Sequence, residues 1–133
     1  MISMKYLGID YGKKKIGLSV SDDSGKVAFP VLILKNEKDE TIKKIVYILE
    51  ERKINEIVIG LSLNYKGADN LITKEAVDFA EKLEKVSGKK VNFEKEYLST
   101  KEANRTIDNK EDDARASAII LQSFLDKKGS SPR

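Results

Sequence analysis

Tyr6-Leu7-Gly8-Ile9-Asp10-Tyr11-Gly12-Lys13-Lys14-Lys15-Ile16-Gly17-Leu18-Ser19-Val20 is the stretch on which the fold turns. Two apolar runs, residues 4–10 and 14–21, flank a glycine-lysine turn, so the spacing predicts a β-hairpin. Asp10 closes the first run. A carboxylate on a buried strand is costly unless something pairs with it, and three lysines follow it after Tyr11 and Gly12. One acid held on a rigid element beside three cations suits metal-dependent phosphate chemistry. An aspartate that merely caps a strand-end turn accounts for the same residues.

Outward from the hairpin, residues 26–35 predict a third strand, which Pro30 places at a sheet edge or a bulge. Asp39 to Lys53 predicts a helix, because Ile42, Ile45, Val46 and Leu49 recur at i, i+3, i+4, i+7. Glu56 to Gly60 reads as a short buried strand, and Leu61 to Gly67 as its exit loop. A second helix is expected from about Leu71 to Ser87, with Ile72, Ala76, Phe79, Ala80 and Leu83 inward and Gly88 as its stop. Lys90 to Glu96 predicts a fifth strand alternating around Val91 and Phe93. Ser99-Thr100-Lys101-Glu102 matches a capping box that opens a third helix. Glu111-Asp112-Asp113 opens a last helix, with Ala114, Ala118, Leu121 and Leu125 on one face. The order β-β-β-α-β-α-β-α-α implies an α/β fold: a five-stranded mixed sheet, strands one to three antiparallel, strands one, four and five parallel, helices on both faces. Residues 1–128 are expected to form a single domain and 129–133 a disordered tail.

Composition narrows the chemistry. The chain has 133 residues, enough for one core. Hydrophobic residues make up 40% and charged residues 35%, which fits a globular, cytoplasmic protein. No run approaches the roughly 18–20 apolar residues of a membrane span. The start, Met1-Ile2-Ser3-Met4-Lys5, lacks a signal-peptide pattern, and Met4 is as good a first residue as Met1. There is no cysteine and no histidine. That excludes disulfides, thiolate or imidazole zinc sites, and histidine-based catalysis. Polar chemistry must come from carboxylates, lysines, hydroxyls and hard cations, with Mg²⁺ or Mn²⁺ the natural ions. The 21 lysines far outnumber the 4 arginines. Lysine and glutamate enrichment fits a thermophile, although the seven asparagines fit an AT-rich genome equally.

Three acids fall at element ends: Asp10, Glu96 and an acid in the first turn of the last helix. Ligands of open sheets gather at the carboxyl ends of parallel strands. Three converging carboxylates would raise one another's pKa values unless cations were bound. Two metals roughly 3.5–4 Å apart activate a water and stabilise the leaving oxygen of a phosphodiester. A first-turn acid is also favoured by the helix dipole alone, and Glu96 sits in the charged stretch Glu94-Lys95-Glu96. Spacing does not choose between Glu111, Asp112 and Asp113.

Four blocks in order give the chain a resemblance to the YqgF/RuvX family of RNase H-like proteins over residues 4–128. They are Asp10-Tyr-Gly-Lys-Lys-Lys-Ile-Gly17 running on through Ser21-Asp22, Gly60-Leu-Ser-Leu-Asn-Tyr-Lys-Gly67, Lys95-Glu96-Tyr97-Leu98-Ser99-Thr100, and Asp113-Ala-Arg-Ala-Ser-Ala-Ile-Ile-Leu-Gln122. The resemblance implies an RNase H-like fold and an acidic triad of Asp10, Glu96 and Asp113, both catalytic and metal-binding, with room for two Mg²⁺ or Mn²⁺ ions. It also implies a nuclease, acting either on the 5′ end of pre-16S rRNA, with ribosomal particles as partners, or on branched DNA as a Holliday junction resolvase. The chain would work as a monomer or a homodimer, without a membrane. Departures are Ser62 for the loop proline, Lys95 and Tyr97 for the Asp and Arg flanking the catalytic glutamate, and Ser117 for an alanine. The lost arginine removes a planar phosphate-gripping group.

Softer candidates for nucleic-acid binding are Lys13, Lys14 and Lys15 on the turn, Asn64 on the loop, Thr100, Arg105 and Arg115. A solvated basic turn, a polar loop residue and a helix cap explain several of them without function. Two other classes fit the same residues. One is a non-catalytic nucleic-acid-binding module. The other is an ATP-binding lobe, since Ile9-Asp10-Tyr11-Gly12 resembles the phosphate loop of actin-like ATPases. Those ATPases need two lobes.

Overall fold

A computed structural model of the chain describes residues 4–63, 71–97 and 114–129, and of these all side chains except those at 62, 63, 71, 72, 96, 97 and 129. The elements are β1 (Tyr6–Asp10), β2 (Lys15–Ser21), β3 (Ala28–Lys35), α1 (Asp39–Glu51), β4 (Glu56–Leu63), α2 (Leu71–Ser87), β5 (Lys90–Tyr97) and α3 (Arg115–Gly129). The five strands form one sheet in the order β3-β2-β1-β4-β5. β1 pairs antiparallel with β2 and β2 with β3, while β1–β4 and β4–β5 are parallel. This is the expected mixed sheet. The register of β2 against β3 shifts between Leu18 and Ser19, opposite Pro30, so the proline sits on an edge strand and beside a bulge at once.

The two faces of the sheet are packed differently. On one face Leu7, Ile9, Ile16, Leu18, Ile57 and Ile59 meet Ile42, Ile45 and Leu49 of α1 and Phe79, Ala80 and Leu83 of α2. These are the long branched side chains of a conventional core. On the other face Tyr6 and Val58 meet Ile120, Leu121 and Leu125 of α3, and the strand positions nearest the helix are Gly8, Gly17, Ser19 and Gly60. A Cβ built on Gly60 would lie 2.5 Å from Ile120 Cδ1, and one on Gly8 would lie 2.8 Å from Leu121 Cβ. Small residues therefore let α3 lie close against the strands.

Several boundaries differ from expectation. Leu61 to Leu63 continue β4 rather than forming a loop, because Leu61, Ser62 and Leu63 pair with Lys95, Glu96 and Tyr97 beyond the end of β1. Helix α1 stops at Glu51, short of Lys53. Lys53 takes a positive φ of 56° and Ile54 N donates to Leu49 O at 2.9 Å, a Schellman-type stop built on a lysine in place of the usual glycine. Gly88, with φ +75°, ends α2 as expected. Phe93 is 41% exposed at the sheet margin, whereas Glu94 is buried. On α3 the buried face includes Ser117 and Ile120 beside Leu121 and Leu125, Ala114 is buried just before the helix, and Ala118 is only half-buried. The helix expected from Ser99 lies outside the described residues, as do 111–113 and 130–133. No helix among the described residues is long and apolar enough to cross a membrane.

Candidate active site

Parallel pairing carries the ends of β1, β4 and β5 to one edge of the sheet. Asp10 pairs with Gly60, and Gly60 with Glu94. Glu96 stands two residues further along β5, opposite Ser62. With strands 4.7–4.9 Å apart, β1 and β5 are separated by about 10 Å across β4. The start of α3 reaches the same edge. A Cβ built on Gly17, the antiparallel partner of Asp10, would lie 3.7 Å from Asp10 Cβ and 3.8 Å from Ala114 Cα. Ala114 directly follows Asp113 in the chain. Asp113 itself, Asn64, Thr100 and Arg105 lie outside the described residues, and of Glu96 only the backbone is described.

Asp10 is half-buried, and burial pushes its carboxyl up to about 6 from the ordinary 3.8. Desolvation disfavours the charged form when no counter-charge compensates. Its carboxylate makes no hydrogen bond or ion pair with any described residue. A desolvated hard-oxygen donor with no partner among the described residues, at the carboxyl edge of parallel strands, fits an oxygen-seeking divalent cation. No group of three carboxylates forms among the described side chains, which include only Asp10 of the three expected ligands.

Lys13, Lys14 and Lys15 are exposed on the turn that follows Asp10. The turn is held from β3: Asn36 Nδ2 donates to Gly12 O at 2.8 Å, and Asn36 N donates to Lys14 O at 2.8 Å. A side chain at position 12 would place a Cβ 2.5 Å from Lys15 O, so only glycine fits. Arg115, the first residue of α3, is exposed next to Ala114. Asn36 was not singled out by sequence. Its only signal was an amide at the end of an apolar strand.

Two buried polar contacts fasten α3 to the sheet, and sequence reasoning missed both. Ser19 Oγ donates to Ser117 O at 3.0 Å and lies 2.9 Å from Ser117 Oγ. The serine that replaces the family's alanine is therefore matched by a hydroxyl across the interface. Glu94, 4% exposed, accepts from Ser123 Oγ and Lys127 Nζ, each at 2.7 Å. The parity it shares with Glu96 along β5 was the available signal. Gln122 bridges as well, accepting from Ala28 N and donating to Lys26 O, both at 2.9 Å. At the hairpin's far end the backbone N–H groups of Lys26 and Val27 and the Ser24 hydroxyl hold the Asp22 carboxyl below its ordinary pKa.

The sheet order and the helices on both faces define an RNase H-like fold. The fold matches Thermus thermophilus RuvC in complex with Holliday junction substrate, with a TM-score of 0.58 at 18% identity over 96% of each chain. It also matches the fowlpox virus Holliday junction resolvase, with a TM-score of 0.55 at 12% identity over 93% of this chain and 99% of that one. Residues 4–127 match the model of the family described as "RuvX: Holliday junction resolvase", and the chain belongs to that family. It is 36% identical to a protein of Nitratidesulfovibrio vulgaris named "Putative pre-16S rRNA nuclease", over 92% of this chain and 93% of that protein. A protein of the same name from Anaeromyxobacter sp. is 34% identical, over 92% of this chain and 97% of the relative.

Proposed function

We propose that this member of the RuvX family is a metal-dependent endonuclease whose substrate is structured nucleic acid, with 5′-end processing of pre-16S rRNA in the cytoplasm as its reaction. The observation that carries the reading is Asp10: a carboxylate desolvated at the sheet edge, without a protein partner among the described residues. The name shared by relatives that align over nine-tenths of the chain supports the RNA substrate. The domain spans residues 1–128.

Asp10, Glu96 and Asp113 would hold the Mg²⁺ or Mn²⁺ ions. Bound divalent ions supply Lewis-acid charge that activates water and stabilises the leaving oxygen of a phosphodiester. The protein's own part is placement. β1 fixes Asp10, β5 carries Glu96 to the same edge, and α3, pinned by Ser19–Ser117 and Glu94–Lys127, fixes the chain next to Asp113. Lys13, Lys14 and Lys15, on a turn tied down by Asn36, attract and seat the phosphate backbone. Arg115 adds a planar donor group at the start of α3, and Asn64, Thr100 and Arg105 complete the contact set.

The test is cleavage by the purified protein of a pre-16S transcript and of a four-way DNA junction, in Mg²⁺, Mn²⁺ or EDTA. The expected result is metal-dependent cleavage of the transcript, reduced by on the order of 10²-fold or more in Asp10→Asn. Preferential cutting of the junction by a homodimer would replace the RNA assignment. Cleavage undiminished in Asp10→Asn would remove the catalytic reading and leave a nucleic-acid-binding module.

A further inference from the structure

The outer flank of β3 and α1 carries a second feature suited to nucleic acid, away from Asp10. Tyr47 is 64% exposed on α1, although its neighbours in the chain pack inward. Lys43 and Lys44 precede it by four and three residues, so all three share one helix face. Beside them lies a shallow open recess of ≈ 360 Å³, lined by Leu34, Glu40, Lys43, Lys44, Tyr47 and Ile48. The recess is floored by Leu34 and Ile48 and rimmed by cations. Further along β3, Leu32 and Phe29 are 37% and 50% exposed. They stand opposite Leu18 and Val20 of β2, whose side chains belong to the α1–α2 core, and so share the face of the sheet on which α1 lies.

The flank is continuous with the lysine turn. Lys35 pairs with Lys15 across β2–β3, and Asn36 binds Gly12 and Lys14. Residues 13–15 and 35–44 hold seven lysines against three carboxylates, an excess larger than the +3 of the whole chain. Lys43–Glu40 and Lys44–Glu37 are paired only at 3.7 and 3.9 Å and are well exposed, contacts weak enough for a phosphate to displace. The recess runs along α1 from Glu40, in the first turn, to Tyr47, which stands eight residues from Asp39, about 12 Å of helix.

We infer that this flank is a binding site for a single-stranded segment of nucleic acid, with one base stacked on Tyr47 over Leu34 and Ile48 and its phosphates on Lys43 and Lys44. An exposed ring interleaved with lysines is the arrangement by which proteins hold unpaired strands without reading sequence. The excess of lysine favours a polyanion over a protein partner. The inference rests on the nuclease reading and sharpens it: the preferred substrate has an unpaired strand leading away from the structured part at the cleavage site.

The chain has no tryptophan, so Tyr47→Trp installs a unique fluorophore. Titration in EDTA with a single-stranded oligonucleotide, as RNA and as DNA, should quench its emission, and blunt duplex should not. By fluorescence anisotropy, Tyr47→Ala should bind a duplex with a single-stranded tail about fivefold or more weakly than wild type, from the loss of one stacked base. Tyr47→Phe should bind it normally, and all three proteins should bind blunt duplex alike. Unchanged thermal unfolding of Tyr47→Ala confirms that an exposed position has been altered without loss of fold. Equal affinity of wild type and Tyr47→Ala for tailed duplex, or a Tyr47→Trp emission indifferent to single strands, overturns the site. Failure of the wild type to bind any nucleic acid overturns the nuclease reading instead.

Discussion

Glu94 Oε2 lies 2.7 Å from Lys127 Nζ, and the two residues join the strand that carries Glu96 to the helix that begins beside Asp10. The glutamate side chain is 5% exposed and the lysine 66%. A buried carboxylate with a wet cation is an asymmetric pair. Losing the lysine leaves a desolvated charge with the Ser123 hydroxyl as its neighbour, whereas losing the glutamate affects a lysine that is already largely exposed.

Lys127→Met should therefore destabilise the protein by about 1–2 kcal/mol in urea unfolding. This is below the 3–5 kcal/mol of a fully buried pair, because solvent screens the exposed partner. Adding Glu94→Gln to Lys127→Met should recover part of the loss. A double variant whose loss equals the sum of the two single losses would show that the pair is not a unit.

The glycines under α3 should rank in a fixed order. Gly8→Ala brings a Cβ against Ser19 Oγ, Leu121 Cβ at 2.8 Å and the Ser117 carbonyl at 3.2 Å, so it also disturbs the hydroxyl contact between Ser19 and Ser117. The nearest atoms to a Cβ at Gly60→Ala all belong to the Ile120 side chain, whose outer end can turn aside. Gly60→Ala should cost about 1–3 kcal/mol as overpacking, and Gly8→Ala more. Equal midpoints for the two variants in denaturant would mean that α3 shifts as a rigid body to relieve both.

Why the sequence foretold the sheet but only part of the site follows from what patterning encodes. Apolar alternation and helical periodicity report which side of an element is buried, and the main core of Leu7, Ile9, Ile57 and Ile59 against α1 and α2 is written in that code. The α3 face is not. Its sheet side is Gly8, Gly17, Ser19 and Gly60, residues that read as turn formers or neutral positions. Glu94 likewise reads as one more solvated acid in Glu94-Lys95-Glu96, because its partners Ser123 and Lys127 lie 29 and 33 positions away. Alternation around Val91 and Phe93 marks β5 as a strand without saying which side is covered: β5 is an edge strand and leaves Phe93 41% exposed. Asp10 was legible because a carboxylate ending an apolar run is improbable on burial grounds alone. Choosing Asp113 from three adjacent acids took the family resemblance.

The pH dependence of stability should carry Asp10's signature. Burial raises its carboxyl from 3.8 to about 6, so the folded state holds this proton more tightly than the unfolded chain. The contribution favours folding in full below about pH 3.8 and is lost as pH rises through about 6. Above that, the bare carboxylate opposes folding by at most about 3 kcal/mol, at about 1.4 kcal/mol per pH unit, and by less because the side chain is only half-buried. In EDTA, Asp10→Asn should match wild type near pH 4 and exceed it in stability at pH 8. Mn²⁺ at pH 8 should then raise the wild type and leave Asp10→Asn unmoved. A stability difference that stays flat between pH 4 and 8 would place the Asp10 carboxylate in water.

Charge and geometry in the lysine turn should separate experimentally. Lys13, Lys14 and Lys15 are exposed, and each is a point charge on a flexible stem, so their effect on a phosphate backbone is chiefly counterion release. Replacing all three by alanine should weaken nucleic-acid binding and make its salt dependence shallower, by up to about three units of slope. Asn36→Ala keeps every lysine but removes the Nδ2 bond to Gly12 O that holds the turn against β3. That variant should bind more weakly at each salt concentration while keeping the wild-type slope, because the charges remain and only their placement loosens. Asp10→Asn, which takes one negative charge from the same edge, should bind as well as wild type or better while cleavage falls. The comparison uses one substrate in EDTA across a salt series. If the triple variant keeps both the affinity and the slope of wild type, the turn is a solvated hairpin and the backbone is held elsewhere on the molecule. If Asn36→Ala changes the slope as much as the triple variant does, the asparagine acts by displacing the lysines from the phosphates altogether.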